Sequence, residues 1–180
     1  MRVITGIARG RRLKTPEGMD IRPTTDNVKE SVFNILQFDI EGRRVLDLFA
    51  GTGQLGIECL SRGAREAVFI DQSRQAIATI RENLKTCGFS APVLQQDALR
   101  YLEQGGVFDL ILVDPPYDAG LYAPVLERIN AVDNLSDGGI ILCESRRDTP
   151  MPEMQSPYRK KKEYRYGSVK LCLYTKEKPE

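Results

Sequence analysis

The 180-residue chain contains no histidine. That absence removes Ser-His-Asp catalysis, imidazole acid–base shuttles and most zinc sites from consideration. Cysteine is sparse. Cys59, Cys87, Cys143 and Cys172 stand singly in apolar segments, with no Cys-x-x-Cys pair. Such thiols are expected to be buried rather than to bind metal or form disulfides. Long apolar runs are missing too, and nothing approaches the roughly 18 uninterrupted apolar residues of a membrane span. The apolar stretch at 3–8 is too short, and too soon followed by charge, for a secretory core, so a cytoplasmic protein is expected. Chemistry must come from carboxylates, hydroxyls, backbone groups or a bound cofactor.

What is present suits one soluble domain: 41% hydrophobic and 28% charged residues, in a chain long enough to bury about 70% of its unfolded surface. The formal net charge of +1 conceals an uneven distribution. Residues 1–15 hold Arg2, Arg9, Arg11, Arg12 and Lys14 with no acid, and 158–166 interleaves Arg159, Lys160, Lys161, Lys162 and Arg165 with three tyrosines. Either run alone reads as a solvated face. Two of them flanking one core point to a polyanionic partner.

The first 15 residues read as a hairpin-like arm turning at Arg9-Gly10, which divides the chain into a basic arm at 1–22 and a main domain at 23–180. Thr25 or Asp26 is placed to cap a helix reaching about residue 38, with Val28, Val32, Ile35 and Leu36 on its apolar face. Apolar strands are then predicted at 44–49, 67–70, 93–95, 107–113 and 139–143. Helices alternate with them at 54–62, 73–86, a short stretch through 102, and 122–132. Continuously apolar strands separated by amphipathic helices mean an α/β fold with a mostly parallel, Rossmann-like sheet covered on both faces. Segments 159–166 and 168–174, separated by Gly167, predict a closing antiparallel hairpin.

Ligands of such sheets bind beyond the carboxyl ends of the strands, near the switch in strand order. Asp47 stands at the first of those ends, Asp71 at the second, Asp97 just past the third and Asp114 at the fourth. Four carboxylates on one rim make a site.

Gly51-Thr52-Gly53-Gln54-Leu55-Gly56 has the G-x-G-x-x-G spacing, and Asp71 follows Gly51 by 20 residues. The glycines allow backbone to lie against a ligand, while Asp71 can accept from ribose hydroxyls. Asp47, just before the glycines, would repel a pyrophosphate but attract an ammonium or sulfonium. Asp97 offers an acceptor for an adenine amine. Together these favour S-adenosylmethionine over a nicotinamide dinucleotide.

Asp114-Pro115-Pro116-Tyr117 is the sharpest motif. The prolines stiffen the loop and help to present the Pro115 carbonyl, Asp114 adds a second acceptor, and Tyr117 supplies a face on which a base can stack. Two acceptors gripping an exocyclic amine would hold its nitrogen in line with a sulfonium methyl and stabilise the charge that develops there.

With these residues assembled, the chain resembles the RsmD family of small-subunit ribosomal RNA guanine-N2 methyltransferases. The resemblance lies in Gly6-Ile7-Ala8-Arg9-Gly10-Arg11-Arg12-Leu13, in Arg22-Pro23-Thr24-Thr25-Asp26-Asn27-Val28-Lys29-Glu30, in residues 45–58 and 61–64, and in Asp114-Pro115-Pro116-Tyr117. Residues 147–162 carry no such signal, and Gln54 stands where a small residue is expected. The resemblance implies a seven-stranded class I methyltransferase fold. It implies that Asp71 holds the ribose of S-adenosylmethionine, that Asp97 and Ala98 lie at the adenine, that Asp47 with Gly51 and Gly53 surrounds the methionine part, and that Phe49, Ala50, Thr52 and Gln72 also line the cofactor site. Asp114 and the Pro115 carbonyl would hold a guanine amine, Pro116 would stiffen the loop, and Tyr117 would stack on the base. The partner would be 16S ribosomal RNA in the small subunit, contacted through Arg9, Arg11, Arg12 and Lys14, by a monomer with no metal and no membrane. Alternative readings are an adenine-N6 methyltransferase acting on DNA or RNA, a nicotinamide-dependent oxidoreductase, and a non-catalytic ribosome-assembly factor.

Overall fold

A computed structural model describes residues 1–16 and 26–177. Its elements run α1 (Asp26–Ile35), β1 (Arg44–Asp47), α2 (Gln54–Ser61), β2 (Glu66–Asp71), α3 (Arg74–Cys87), β3 (Val93–Gln95), α4 (Ala98–Glu103), β4 (Phe108–Val113), α5 (Tyr122–Val132), β5 (Leu135–Arg146), β6 (Tyr158–Tyr166) and β7 (Val169–Lys176). The strands form one sheet in the order β3-β2-β1-β4-β5-β7-β6. The first five are parallel, and β7 enters antiparallel between β5 and the edge strand β6. This is the seven-stranded class I methyltransferase architecture with its terminal hairpin.

The central strands are apolar because both faces of the sheet are covered. On one face Val45, Phe69, Leu110 and Leu142 pack with Val32 and Phe33 of α1, Ile57 of α2 and Ile80 of α3. On the other, Leu46, Ile70, Ile111 and Ile141 pack with Leu102 of α4 and Leu126 and Ile129 of α5. Alternate residues of each strand therefore serve different cores, as the two-residue period requires. Gly56 permits the close seating of α2 on the sheet, since a Cβ there would lie 2.4 Å from the Phe69 ring. Cys59, Cys143 and Cys172 are buried and Cys87 is partly so; all four are free thiols.

The order in which strands are added reverses about β1: β2 and β3 lie on one side of it, β4 and β5 on the other. The loops leaving β1 and β4 therefore diverge above the sheet and open a crevice at that switch point.

Three elements differ from the sequence expectation. α1 stops at Ile35, leaving Phe38 exposed, and the expected cap at Thr25 or Asp26 and the Arg22–Thr25 part of the family motif lie outside the described residues or side chains. β5 begins at Leu135, well before residue 139. The arm forms only one antiparallel bridge, Arg2 to Arg12, instead of two strands. Val3 N donates to the Arg11 carbonyl and Leu13 N to the Met1 carbonyl within the arm, while the turn between is taken by α2: Glu58 accepts from Ile4 (2.8 Å) and Thr5 (2.9 Å), and Ser61 accepts from Ile7 through its carbonyl and from Ala8 through its hydroxyl. Val3, Ala8 and Leu13 enter the same core as α1 and α2. The arm is thus docked on the main domain.

Candidate functional site

A cavity of about 540 Å³ lies at the switch point, lined by residues from the carboxyl ends of β1, β2, β4 and β5. That volume falls within the range of roughly 300–1,000 Å³ typical of small-molecule and cofactor sites. From the β1 end come Asp47, Phe49, Ala50, Gly51 and Thr52; from the β2 end, Asp71 and Gln72; from the start of α4, Ala98; and from the β4 end, Asp114, Pro115, Pro116 and Tyr117. Twelve of the fourteen residues expected at cofactor or substrate thus share one cavity.

The glycine turn is fixed by carboxylates. Gly53 takes a left-handed φ of 77° as it enters α2, a conformation costly for a residue with a Cβ. Asp71 Oδ2 accepts from the Gly51 N–H at 2.9 Å while its Oδ1 accepts from the Ser73 N–H. Asp47 Oδ2 accepts from the Gly56 N–H at 2.9 Å. Asp47 is almost completely buried, and burial, opposed by that hydrogen bond and reinforced by the Asp71 charge, pushes its pKa up to about 7. A cation bound beside it would favour the ionised form.

Gly53 and Asp97 are the two expected residues that do not line the cavity. Gly53 is the N-terminal flank of α2. Asp97 caps α4, its Oδ1 accepting from Arg100 N at 2.9 Å and its Oδ2 from Gln72 Nε2 at 2.6 Å. Its neighbours Gln96 and Ala98 face the cavity in its place.

The opposite wall is the Asp-Pro-Pro-Tyr loop. The Pro116 carbonyl closes a turn by accepting from Ala119 N at 3.0 Å, whereas the Pro115 carbonyl accepts no backbone N–H from the described residues. Burial, then the charges of Glu144 and Asp47, hold the Asp114 carboxyl well above the usual carboxylate range. The Tyr117 hydroxyl donates to Glu144 Oε1 at 3.3 Å, and the Arg146 guanidinium lies over the Tyr117 ring, 5.5 Å from its centroid.

Sequence reasoning missed Glu144, Gln54 and Gln96, all of which line the cavity. Gln54 Oε1 is buried without a hydrogen-bond partner, an acceptor suited to an ammonium donor. The donor set therefore fits an amino-acid-bearing adenosine cofactor. Asp47 and Gln54 would hold its ammonium, Asp71 its ribose, and Gln96 with Ala98 its adenine.

The basic arm lies beside this cavity. Asn83 of α3 donates to both the Lys14 and Thr52 carbonyls, and the Thr52 hydroxyl contacts Met1 Sδ. Arg9, Arg11 and Arg12 are exposed and make no ion pair among the described residues, whereas Lys14 pairs with Glu82. On β6, Lys160 and Arg165 are engaged with Glu153 and Glu163. Among the described residues no helix is long and apolar enough to cross a membrane.

The chain is 40% identical to YlbH of Bacillus subtilis over 98% of its own length and 99% of the relative's. It is 35% identical to ribosomal RNA small subunit methyltransferase D of Escherichia coli, over 98% of this chain and 90% of that one. Among solved structures, yhhF of Escherichia coli superposes with a TM-score of 0.89 at 35% identity, covering 98% of each chain. The family model described as conserved hypothetical protein 95 matches residues 1–175. By full-length sequence and fold alike, the chain belongs to this family, the RsmD family.

Proposed function

We propose that this protein transfers a methyl group from S-adenosylmethionine to the exocyclic N2 amine of a guanine in 16S ribosomal RNA of the small subunit. One observation carries the reading: the glycine turn after β1 and the Asp-Pro-Pro-Tyr loop after β4 are facing walls of a single cavity. The name of the Escherichia coli relative, ribosomal RNA small subunit methyltransferase D, supports the choice of RNA.

When bound, S-adenosylmethionine supplies an electrophilic methyl carbon on a positively charged sulfur. The residues of this chain do the rest. The glycine turn and Asp71 fix the adenosine, and Asp47 with Gln54 receives the ammonium. A guanine amine is a weak nucleophile, because its lone pair is delocalised into the ring. Asp114 and the Pro115 carbonyl accept its two N–H bonds, which orients the nitrogen and stabilises the positive charge it gains. The raised proton affinity of Asp114 suits it to take the proton released afterwards. Tyr117 offers its ring to the base, braced by Glu144 and Arg146. The target base must leave its stack to reach this cavity, and Arg9, Arg11, Arg12 and Lys14 contact phosphates around it.

Mass-spectrometric nucleoside analysis of ribosomal RNA from cells lacking and then regaining the protein tests this. N2-methylguanosine in the small-subunit RNA should fall and return. A change confined to N6-methyladenosine, or no change, refutes the reading.

A further inference from the structure

Glu144 belongs to none of the sequence motifs, yet it lines the cavity at the end of β5 and is 3% exposed. β4 and β5 are paired in parallel with Val113 beside Cys143, so Asp114, the first residue past β4, and Glu144 of β5 follow that pair side by side. The Glu144 side chain is held there by the Tyr117 hydroxyl at 3.3 Å, and its carbonyl by the Tyr122 hydroxyl at 2.7 Å. A second buried carboxylate beside Asp114 is costly unless something uses it.

Building on the guanine-N2 reading above, we propose that Glu144 is a specificity-determining residue that accepts the guanine N1–H while Asp114 accepts the adjacent N2–H. The Watson–Crick edge of guanine presents N1–H and the N2 amine side by side, a continuous row of donors that matches two adjacent carboxylates. Adenine presents its N6 amine beside an N1 lone pair, which would face a carboxylate oxygen across the same gap. A site built to hydrogen-bond one group rejects a substrate lacking it far more strongly than an apolar pocket could. The Tyr117 hydroxyl donates to one Glu144 oxygen and so orients the carboxylate at the cavity wall.

Two carboxylates set side by side cannot both ionise freely. The groups acting on Asp114 are Glu144 of β5, Asp47 of β1 and the burial of the site, while Tyr122 of α5 and Cys143 of β5 in turn feel its charge. A proton held by the acidic pair must leave before both can accept from guanine, so methylation should have an acidic limb above the ordinary carboxylate range.

The test compares Glu144→Gln with the wild type on small subunits isolated from cells lacking the protein, by single-turnover methylation across pH. S-adenosylhomocysteine binding by calorimetry serves as the control for folding. Cofactor affinity should stay within about twofold, turnover should fall about tenfold or more, and the acidic limb should move to lower pH as Asp114 loses its charged neighbour. Unchanged turnover and pH profile would overturn the role of Glu144 while leaving guanine methylation standing. N6-methyladenosine as the wild-type product would instead defeat the guanine reading and this role with it. Should the variant fail to bind S-adenosylhomocysteine, guanosine is titrated into the wild-type complex in buffers of different ionisation enthalpy near pH 6. Proton release on binding supports the role, and its absence overturns it.

Discussion

Glu58 and Lys29 form an ion pair at 3.4 Å in which both side chains are completely buried. Glu58 also accepts from Arg62 Nε and from the arm N–H groups of Ile4 and Thr5, while Lys29 Nζ donates to the Arg2 carbonyl at 2.6 Å. One carboxylate thus joins α1, α2 and the basic arm. Removing one partner of such a pair leaves an uncompensated buried charge, and Glu58→Ala should cost about 3–5 kcal/mol. Denaturant unfolding measures the loss, and amide exchange at Ile4 and Thr5 should accelerate beyond the global change. Slow exchange at both sites would mean that other contacts hold the arm.

Asp114→Ala removes an acceptor whose work is done in the transition state. The rate should fall by about 10² or more, while calorimetry finds S-adenosylhomocysteine binding largely intact. A normal rate would exclude the Asp-Pro-Pro-Tyr loop from the chemistry.

Asp71→Ala should act on the other wall. It takes away the proposed ribose acceptor and also frees the Gly51 and Ser73 N–H groups that shape the turn. Cofactor affinity should weaken about tenfold or more, tenfold corresponding to about 1.4 kcal/mol. With cofactor saturating, the methylation rate should be nearly restored. A low rate that saturating cofactor cannot restore would show that Asp71 does more than bind.

The rim of the sheet was legible in the sequence because a parallel strand buried on both faces is a plain apolar run, and the first polar residue after it marks the strand end. Asp47, Asp71 and Asp114 were found in this way. Glu144 follows the run Ile140–Cys143 by the same rule, but it sits in a long stretch without a glycine turn or a proline loop to draw attention to it. Asp97, which does not line the cavity, is a different case. A side chain just before a helix serves as readily for capping as for binding, and Arg100 N and Gln72 occupy both its oxygens. The arm read as two short strands around Arg9-Gly10, whereas in the structure only the Arg2–Arg12 bridge forms. The competing acceptors, Glu58 and Ser61, lie more than 50 residues away in the chain, beyond the reach of any local pattern.

Arg9, Arg11 and Arg12 are exposed and free of ion pairs among the described residues, so replacing all three by Ala should leave thermal stability nearly unchanged. Binding to ribosomal RNA should weaken and its salt dependence should flatten. Each lost phosphate contact removes about 0.7–0.9 from the slope of log affinity against log salt, so the triple variant should lose about 2–3 if all three touch phosphate. Filter binding across a salt series measures this. An unchanged slope would remove the arm from RNA recognition.

Asp47 makes stability depend on pH in a direction opposite to that of an ion-paired carboxylate. Its folded pKa of about 7 lies above the ordinary aspartate value of 3.8, so the folded state holds a proton that the unfolded chain has already released across that window. Unfolding then releases protons, and the stability attached to this group, complete below the unfolded pKa, drains away as pH rises toward 7. Asp114, also raised, contributes with the same sign. Asp47→Asn keeps an oxygen able to accept from the Gly56 N–H while removing the ionisation. In the cofactor-free protein the variant should gain on the wild type steadily from pH 4 to pH 8, as read by urea unfolding. Saturating S-adenosylmethionine should narrow that gain in the wild type's favour, because the ammonium and sulfonium reward the ionised carboxylate that Asn cannot provide. A stability difference that stays constant with pH would mean that Asp47 is ionised throughout, with its charge balanced by the Gly56 N–H and the local backbone alone.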